Sequence, residues 1–124
     1  MARTYRKLAI VCALAVVALS SWPSVDLPDL GTSYLDKILH FGQYTVLAFL
    51  VVRGWVTTDP SRSRRLAILI GILVIFAALD EYHQGWIPGR DPDWWDWIAD
   101  ALGIGGGAGI GAWLAGRETV RSDR

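Results

Sequence analysis

Residues 80–97 read DEYHQGWIPGRDPDWWDW. Asp80, Glu81, Asp91, Asp93 and Asp96 supply carboxylates, His83 an imidazole, Gln84 an amide and Arg90 the segment's one base, with four Trp among them. A second cluster lies upstream, where Asp36, His40, Gln43 and Tyr44 follow at i, i+4, i+7 and i+8 with Lys37 beside Asp36. On a helix that spacing puts them on one face. These residue types support acid–base exchange, charge pairing and anion binding. Lys37 and Arg90 can pair carboxylates or hold an anion such as phosphate. The set does not point to covalent catalysis, because no activated Ser or Cys nucleophile stands nearby. His and carboxylates are plausible metal ligands, but no H-E-x-x-H or equivalent spacing appears, and no metal or cofactor is expected. A lone cysteine, Cys12, excludes an internal disulfide and a cysteine zinc knuckle.

The elements that position these groups are apolar. The chain has 124 residues, of which 52% are hydrophobic and 19% charged, enough for one domain covering 1–124. The net charge is zero, so no basic surface suggests a nucleic-acid partner. Apolar residues concentrate in Leu8–Leu19, Ile38–Val52, Leu66–Leu79 and Ile98–Leu114. A soluble helix shows a polar stripe, and Leu66–Leu79 has none. A bilayer core of ~30 Å takes about 20 helical residues, and each run approaches that length once a flanking turn is added. The chain therefore reads as an all-α integral membrane four-helix bundle, with spans at about 7–22, 36–55, 65–82 and 96–115. An alternative for the first run is a cleaved signal peptide, with Ala18-Leu19-Ser20 as a small-x-small site, although Trp22-Pro23 follows unfavourably.

Charge placement orients the bundle. Arg3, Arg6 and Lys7, then Arg53, Arg62, Arg64 and Arg65, then Arg117, Arg121 and Arg124 are ten of the twelve Lys and Arg residues. All ten precede the first run, separate the second from the third or follow the fourth. Bases accumulate on the cytoplasmic side, so both termini are expected inside a multi-pass protein of the inner, cytoplasmic membrane. Nine of the twelve acids lie on the opposite side: Asp26, Asp29, Asp36, Asp80, Glu81, Asp91, Asp93, Asp96 and Asp100. Trp22, Trp86, Trp94, Trp95 and Trp97 fall at the outer interface, and Trp55 and Trp113 toward the inner one.

On the fourth run Asp96, Asp100, Gly103, Gly107 and Gly111 fall on one stripe, with the glycines spaced for close helix packing in lipid. The two carboxylates thus head the face that meets other helices. Ser33 and Asp36 suggest a helix start resembling a capping box, and Ile87-Pro88-Gly89-Arg90 a Pro-Gly turn. His40 and Gln43 lie too deep for the capping explanation, and ionisable groups at that depth face a bundle interior or a wet cavity. Together these ends outline a polar pocket at the outer leaflet with 80–97 as its lid. Its expected members are Asp36, Lys37, His40, Tyr44, Asp80, Glu81, Gln84, Arg90, Asp96 and Asp100. Arg90, the only base in its loop, is expected to contact Asp96 or share a partner with it.

Asp36-Lys37-x-x-His40-Phe41-x-x-Tyr44, then Asp80-Glu81-x-x-Gln84-x-x-x-Pro88-Gly89-Arg90, then Asp96 with Gly103 and Gly107 resemble the VanZ-like family over roughly residues 34–111. The resemblance implies a small bacterial membrane protein of the cell envelope. The family's namesake is associated with low-level teicoplanin resistance, without rewriting of the D-Ala-D-Ala target, and no established reaction comes with it. The family commonly carries Asn where this chain has Asp100, which leaves Asp100 charged, paired with Lys37 or Arg90, or protonated. Two readings follow for the pocket. One is binding of an envelope lipid, a lipid-linked precursor or a lipophilic glycopeptide antibiotic. The other is a membrane enzyme using His40 with Asp80, Glu81 or Asp96 as acid–base groups on a lipid-linked substrate, with or without a divalent metal. A purely structural partner is the third class. The oligomeric state is open.

Overall fold

A computed structural model describes residues 1–23, 32–56 and 61–122. The described elements are four helices in chain order: α1 (Ala2–Ser20), α2 (Thr32–Trp55), α3 (Arg62–Gln84) and α4 (Trp94–Ser122). The loop holding Asp26 and Asp29 and the Ser33 side chain, with its suggested cap, lie outside what is described.

Tyr34–Trp55, Arg62–Gln84 and Trp94–Glu118 are each long and apolar enough to cross a membrane. At ~1.5 Å per residue even the shortest exceeds the ~30 Å hydrocarbon core. The first helix differs, because its 19 residues include Arg3, Arg6 and Lys7. Its uncharged part, from Leu8, covers only about two-thirds of that thickness. Ile10, Leu14, Ile38, Leu39, Ile68, Ile72, Ile75, Leu79, Leu102 and Ile110 are exposed around the bundle. In water such a surface would drive association, whereas lipid is its matching solvent.

Consecutive helices run in opposite directions. Near the start of α1, Arg6 donates from Nε to the Gly54 carbonyl at the end of α2 (2.7 Å), and Tyr5 packs edge-on against Phe49. At the same end of the bundle Arg53 pairs with Glu118 of α4 (2.6 Å), and Arg62 of α3 donates to the Ala112 carbonyl. These bases therefore gather at one end with Glu118, and Asp80, Glu81, Asp96 and Asp100 lie at the other.

The tightest contact is between α2 and α4. A Cβ on Gly103 would overlap the Phe41 carbonyl oxygen, and one on Gly107 would overlap that of Thr45. Gly111 approaches Val52, where an added Cβ would stand 3.1 Å from a side-chain methyl. Small residues thus let the two backbones touch. Around this seam Tyr44, Leu47, Ala48, Leu73, Ala77, Ile104 and Val16 form the buried apolar core.

Two local devices aim the polar end. Asp93 caps α4: its Oδ1 accepts the Trp95 N–H (2.9 Å) and its carbonyl the Asp96 N–H (3.0 Å). After α3, Arg90 N–H donates to the Ile87 carbonyl (3.1 Å) across Pro88 and Gly89, with Gly89 at φ 77°. This is a type II turn, in which glycine takes the left-handed position without a Cβ penalty.

Candidate functional site

The polar side chains of four helix ends and one turn meet in layers. Innermost is His40 of α2, whose Nδ1 is hydrogen-bonded to Asp100 Oδ1 of α4 at 3.0 Å. His40 is 4% exposed and Asp100 1%. The ring follows from the α2 periodicity, while Asp100 reaches it because it heads the glycine stripe packed on that helix. Asp100 therefore pairs with His40, rather than with Lys37 or Arg90.

Asp80, on α3, is buried between two hydroxyls. Ser20 Oγ of α1 donates to its Oδ1 at 2.5 Å, and Tyr44 OH of α2 lies 3.4 Å from its Oδ2. Three helices thus converge on one carboxylate, and among the described residues no cation pairs with it. Ser20 was not a sequence candidate, because a Ser closing an apolar run reads as a helix boundary. Its neighbour Ser21 meets His83 Nε2 at 3.1 Å, turning His83 toward α1 and away from the cluster of carboxylates.

Nearer the surface Lys37 Nζ bridges Asp93 Oδ2 (2.8 Å) and Asp96 Oδ1 (3.0 Å). Asp96 is buried and Asp93 is partly open. Asp93 is thus both helix cap and ion-pair partner, a role that its place in a loop of acids did not single out. Glu81 Oε1 accepts the Asp93 N–H (2.6 Å), while Glu81 Oε2 is buried without a hydrogen-bond partner among the described residues.

The contact expected between Arg90 and Asp96 is replaced by another arrangement. Arg90 NH1 donates to Gln84 Oε1 (3.1 Å), Nε to the Trp22 carbonyl (3.0 Å) and NH2 to the Leu19 carbonyl (3.3 Å). The type II turn points the guanidinium at the end of α1, where carbonyls lack intrahelical donors and carry the negative end of the helix dipole. Lys37, one turn from His40, takes Asp96 instead.

Two cavities flank the cluster. One of about 590 Å³ lies between the end of α1, α2 and the α3 exit. Leu19, Trp22, Ile38 and Leu39 give it an apolar wall, and Asp36, His40, Gln43, Gln84 and Arg90 a polar end. Gln84 Nε2, buried, has no hydrogen-bond partner among the described residues. The other, about 320 Å³, opens between α3 and α4 beside Glu81, Tyr82, Asp93, Trp94 and Trp97.

The Lys37 ammonium, followed by the Trp95 N–H, holds the Asp93 carboxyl below its usual range. A folded pKa below the unfolded one contributes stability that is full above the unfolded value and is lost as pH falls through the depressed folded value. Thermal melts of the purified protein should therefore decline below about pH 4, with a shallower decline in Asp93→Asn. An unchanged profile in that variant would remove this linkage.

An all-α bundle with membrane-length apolar helices and a buried His–carboxylate cluster at one end is a polytopic membrane protein with a polar site. The chain matches the VanZ/LLP1 family over residues 4–115 and belongs to it. No curated protein and no solved structure matches the chain.

Proposed function

We propose that this protein takes the headgroup of a membrane amphiphile into the cavity between α1, α2 and the α3 exit. The observation that carries the reading is the cavity's division into an apolar wall and a polar end containing a buried amide donor without a partner. An apolar tail fits against Leu19, Ile38 and Leu39, which are exposed toward lipid. A phosphate, carboxylate or carbonyl fits Gln84 Nε2, with Arg90 alongside. Unmet buried donors are costly, so a ligand acceptor there is favoured.

With both termini cytoplasmic, as the base distribution favours, the cavity faces the outer leaflet of the cytoplasmic membrane. Envelope lipids, lipid-linked precursors and lipid-bearing glycopeptides such as teicoplanin share the required chemistry. Altered teicoplanin sensitivity is then a consequence of amphiphile binding. Sidedness is tested by thiol labelling of intact cells in a Cys12→Ser background. Asp91→Cys should react with an impermeant reagent and Ser63→Cys should not; the reverse pattern would place the cavity on the inner leaflet.

Binding is tested by identifying what the purified protein retains. Gly42 lines the cavity, and a Cβ there meets nothing within 4 Å. Gly42→Phe should fill the cavity without disturbing the α2–α4 seam and should release the amphiphile. Retention equal to wild type would refute the site.

The buried His40–Asp100 pair favours a second reading, a general base oriented by a carboxylate acting on a bound headgroup. Turnover of a retained lipid-linked substrate, lost in His40→Gln with binding intact, would establish it over simple binding.

A further inference from the structure

We propose that His40, Glu81 and Asp100 form a binding site for one divalent first-row transition-metal ion. One ligand atom from each lies within 4.8 Å of the other two, and the three residues come from α2, α3 and α4. All three are more than nine-tenths buried. Glu81 gives one oxygen to the Asp93 N–H, and its other, Oε2, is buried with no partner. Among the described residues no base forms an ion pair with Glu81, and only His40 does so with Asp100. Buried carboxylates are costly unless a cation compensates them. An ion between these residues would satisfy the unpartnered oxygen and the excess negative charge together.

The geometry suits such an ion. His40 Nδ1 and Asp100 Oδ1 stand 3.0 Å apart. Adjacent donors on an ion with bonds of about 2.1 Å are separated by roughly 3.0–3.4 Å, depending on coordination geometry. Ligation through Nδ1 places the imidazole proton on Nε2. One nitrogen with two carboxylates selects Mn²⁺, Fe²⁺ or Zn²⁺ over the all-oxygen preference of Mg²⁺ and Ca²⁺. A second grouping, Asp36, His40 and Asp96, also falls within 4.8 Å. Lys37 already holds Asp96 there, and its ammonium repels a cation, so the first grouping is the better site. The spacing of these residues along the chain gives no metal signature, because each ligand sits on a different helix.

The test uses the full chain, stripped with chelator in detergent and titrated with Mn²⁺ alone. Wild type should bind one ion per chain above a protein-free blank, and pulsed electron paramagnetic resonance should show nitrogen coupling from one imidazole. Glu81→Gln and Asp100→Asn should each weaken binding at least about tenfold, while Asp91→Asn, at an exposed loop position, should not. No saturable binding, binding without nitrogen coupling, or equal affinity in Glu81→Gln would overturn the site. If the carboxylate variants fail to fold, the wild-type nitrogen coupling decides alone. Mn²⁺ loading and amphiphile retention are read by separate measurements, so a chain that loads Mn²⁺ but retains no membrane amphiphile refutes the cavity proposal and leaves the metal site standing.

Discussion

Gly107→Leu should leave almost no folded protein in the membrane fraction. The position a Cβ would occupy is already taken by the Thr45 carbonyl oxygen, and the Thr45 carbonyl carbon and Phe49 nitrogen stand close behind it. These are backbone atoms of α2, so no rotamer change relieves the overlap, and the helices must separate along their main seam. Overpacking ordinarily costs about 1–3 kcal/mol, and a clash with helix backbone belongs at or above the upper end. Native stabilities are only about 5–15 kcal/mol in total. Gly109→Ala is the control, because a Cβ there meets nothing within 4 Å. It should be neutral or stabilising by up to about 1 kcal/mol through helix propensity. Abundance and thermal unfolding read both variants. Equal tolerance at the two glycines would mean that α2 and α4 do not meet as described.

Lys37→Met should cost about 3 kcal/mol, mostly through Asp96. Removing one member of a buried pair leaves the other charge uncompensated, typically at ~3–5 kcal/mol. The lower figure applies because the Lys37 side chain is 27% exposed and that of Asp93 40%, against 7% for Asp96. Asp96 also lies in the first turn of α4, where the helix dipole partly offsets its charge. Adding Asp96→Asn to Lys37→Met should recover much of the loss, giving a coupling above the ~0.5 kcal/mol expected of independent sites. Arg90→Ala combined with Asp96→Asn should instead be additive, because Arg90 bonds Gln84 and the end of α1. Strong Arg90–Asp96 coupling with none at Lys37 would contradict the arrangement.

How much of this was readable in the sequence depends on whether a feature is periodic along one helix or shared between helices. The apolar runs mark α2, α3 and α4, since a membrane-crossing helix needs only length and hydropathy. The spacing of Asp96, Asp100 and the three glycines puts them on one side of α4, the side that lies on α2. Pro88-Gly89 specifies a turn by backbone sterics alone, and the turn is there.

Pairings between helices were not readable. Nothing in the spacing of Lys37 or Arg90 says which carboxylate each reaches, because that depends on the relative heights of α2 and α4 and on where the 87–90 turn points. Ser20 and Asp93 were passed over for the same reason, each standing at an element boundary where a polar residue needs no special explanation. The basic residues before the first apolar run are themselves helical, since α1 begins at Ala2 and Arg6 bonds the end of α2.

The central claim is that the cavity beside His40, Gln84 and Arg90 holds a membrane amphiphile. Native mass spectrometry of protein released from cell membranes tests it most directly, with wild type and Gly42→Phe compared under identical extraction. One amphiphile should be retained per wild-type chain, bearing an anionic or carbonyl headgroup and enriched over its share of the bulk membrane, with none on Gly42→Phe although that variant stays folded. Adducts that follow bulk lipid composition and are the same in both proteins would contradict it.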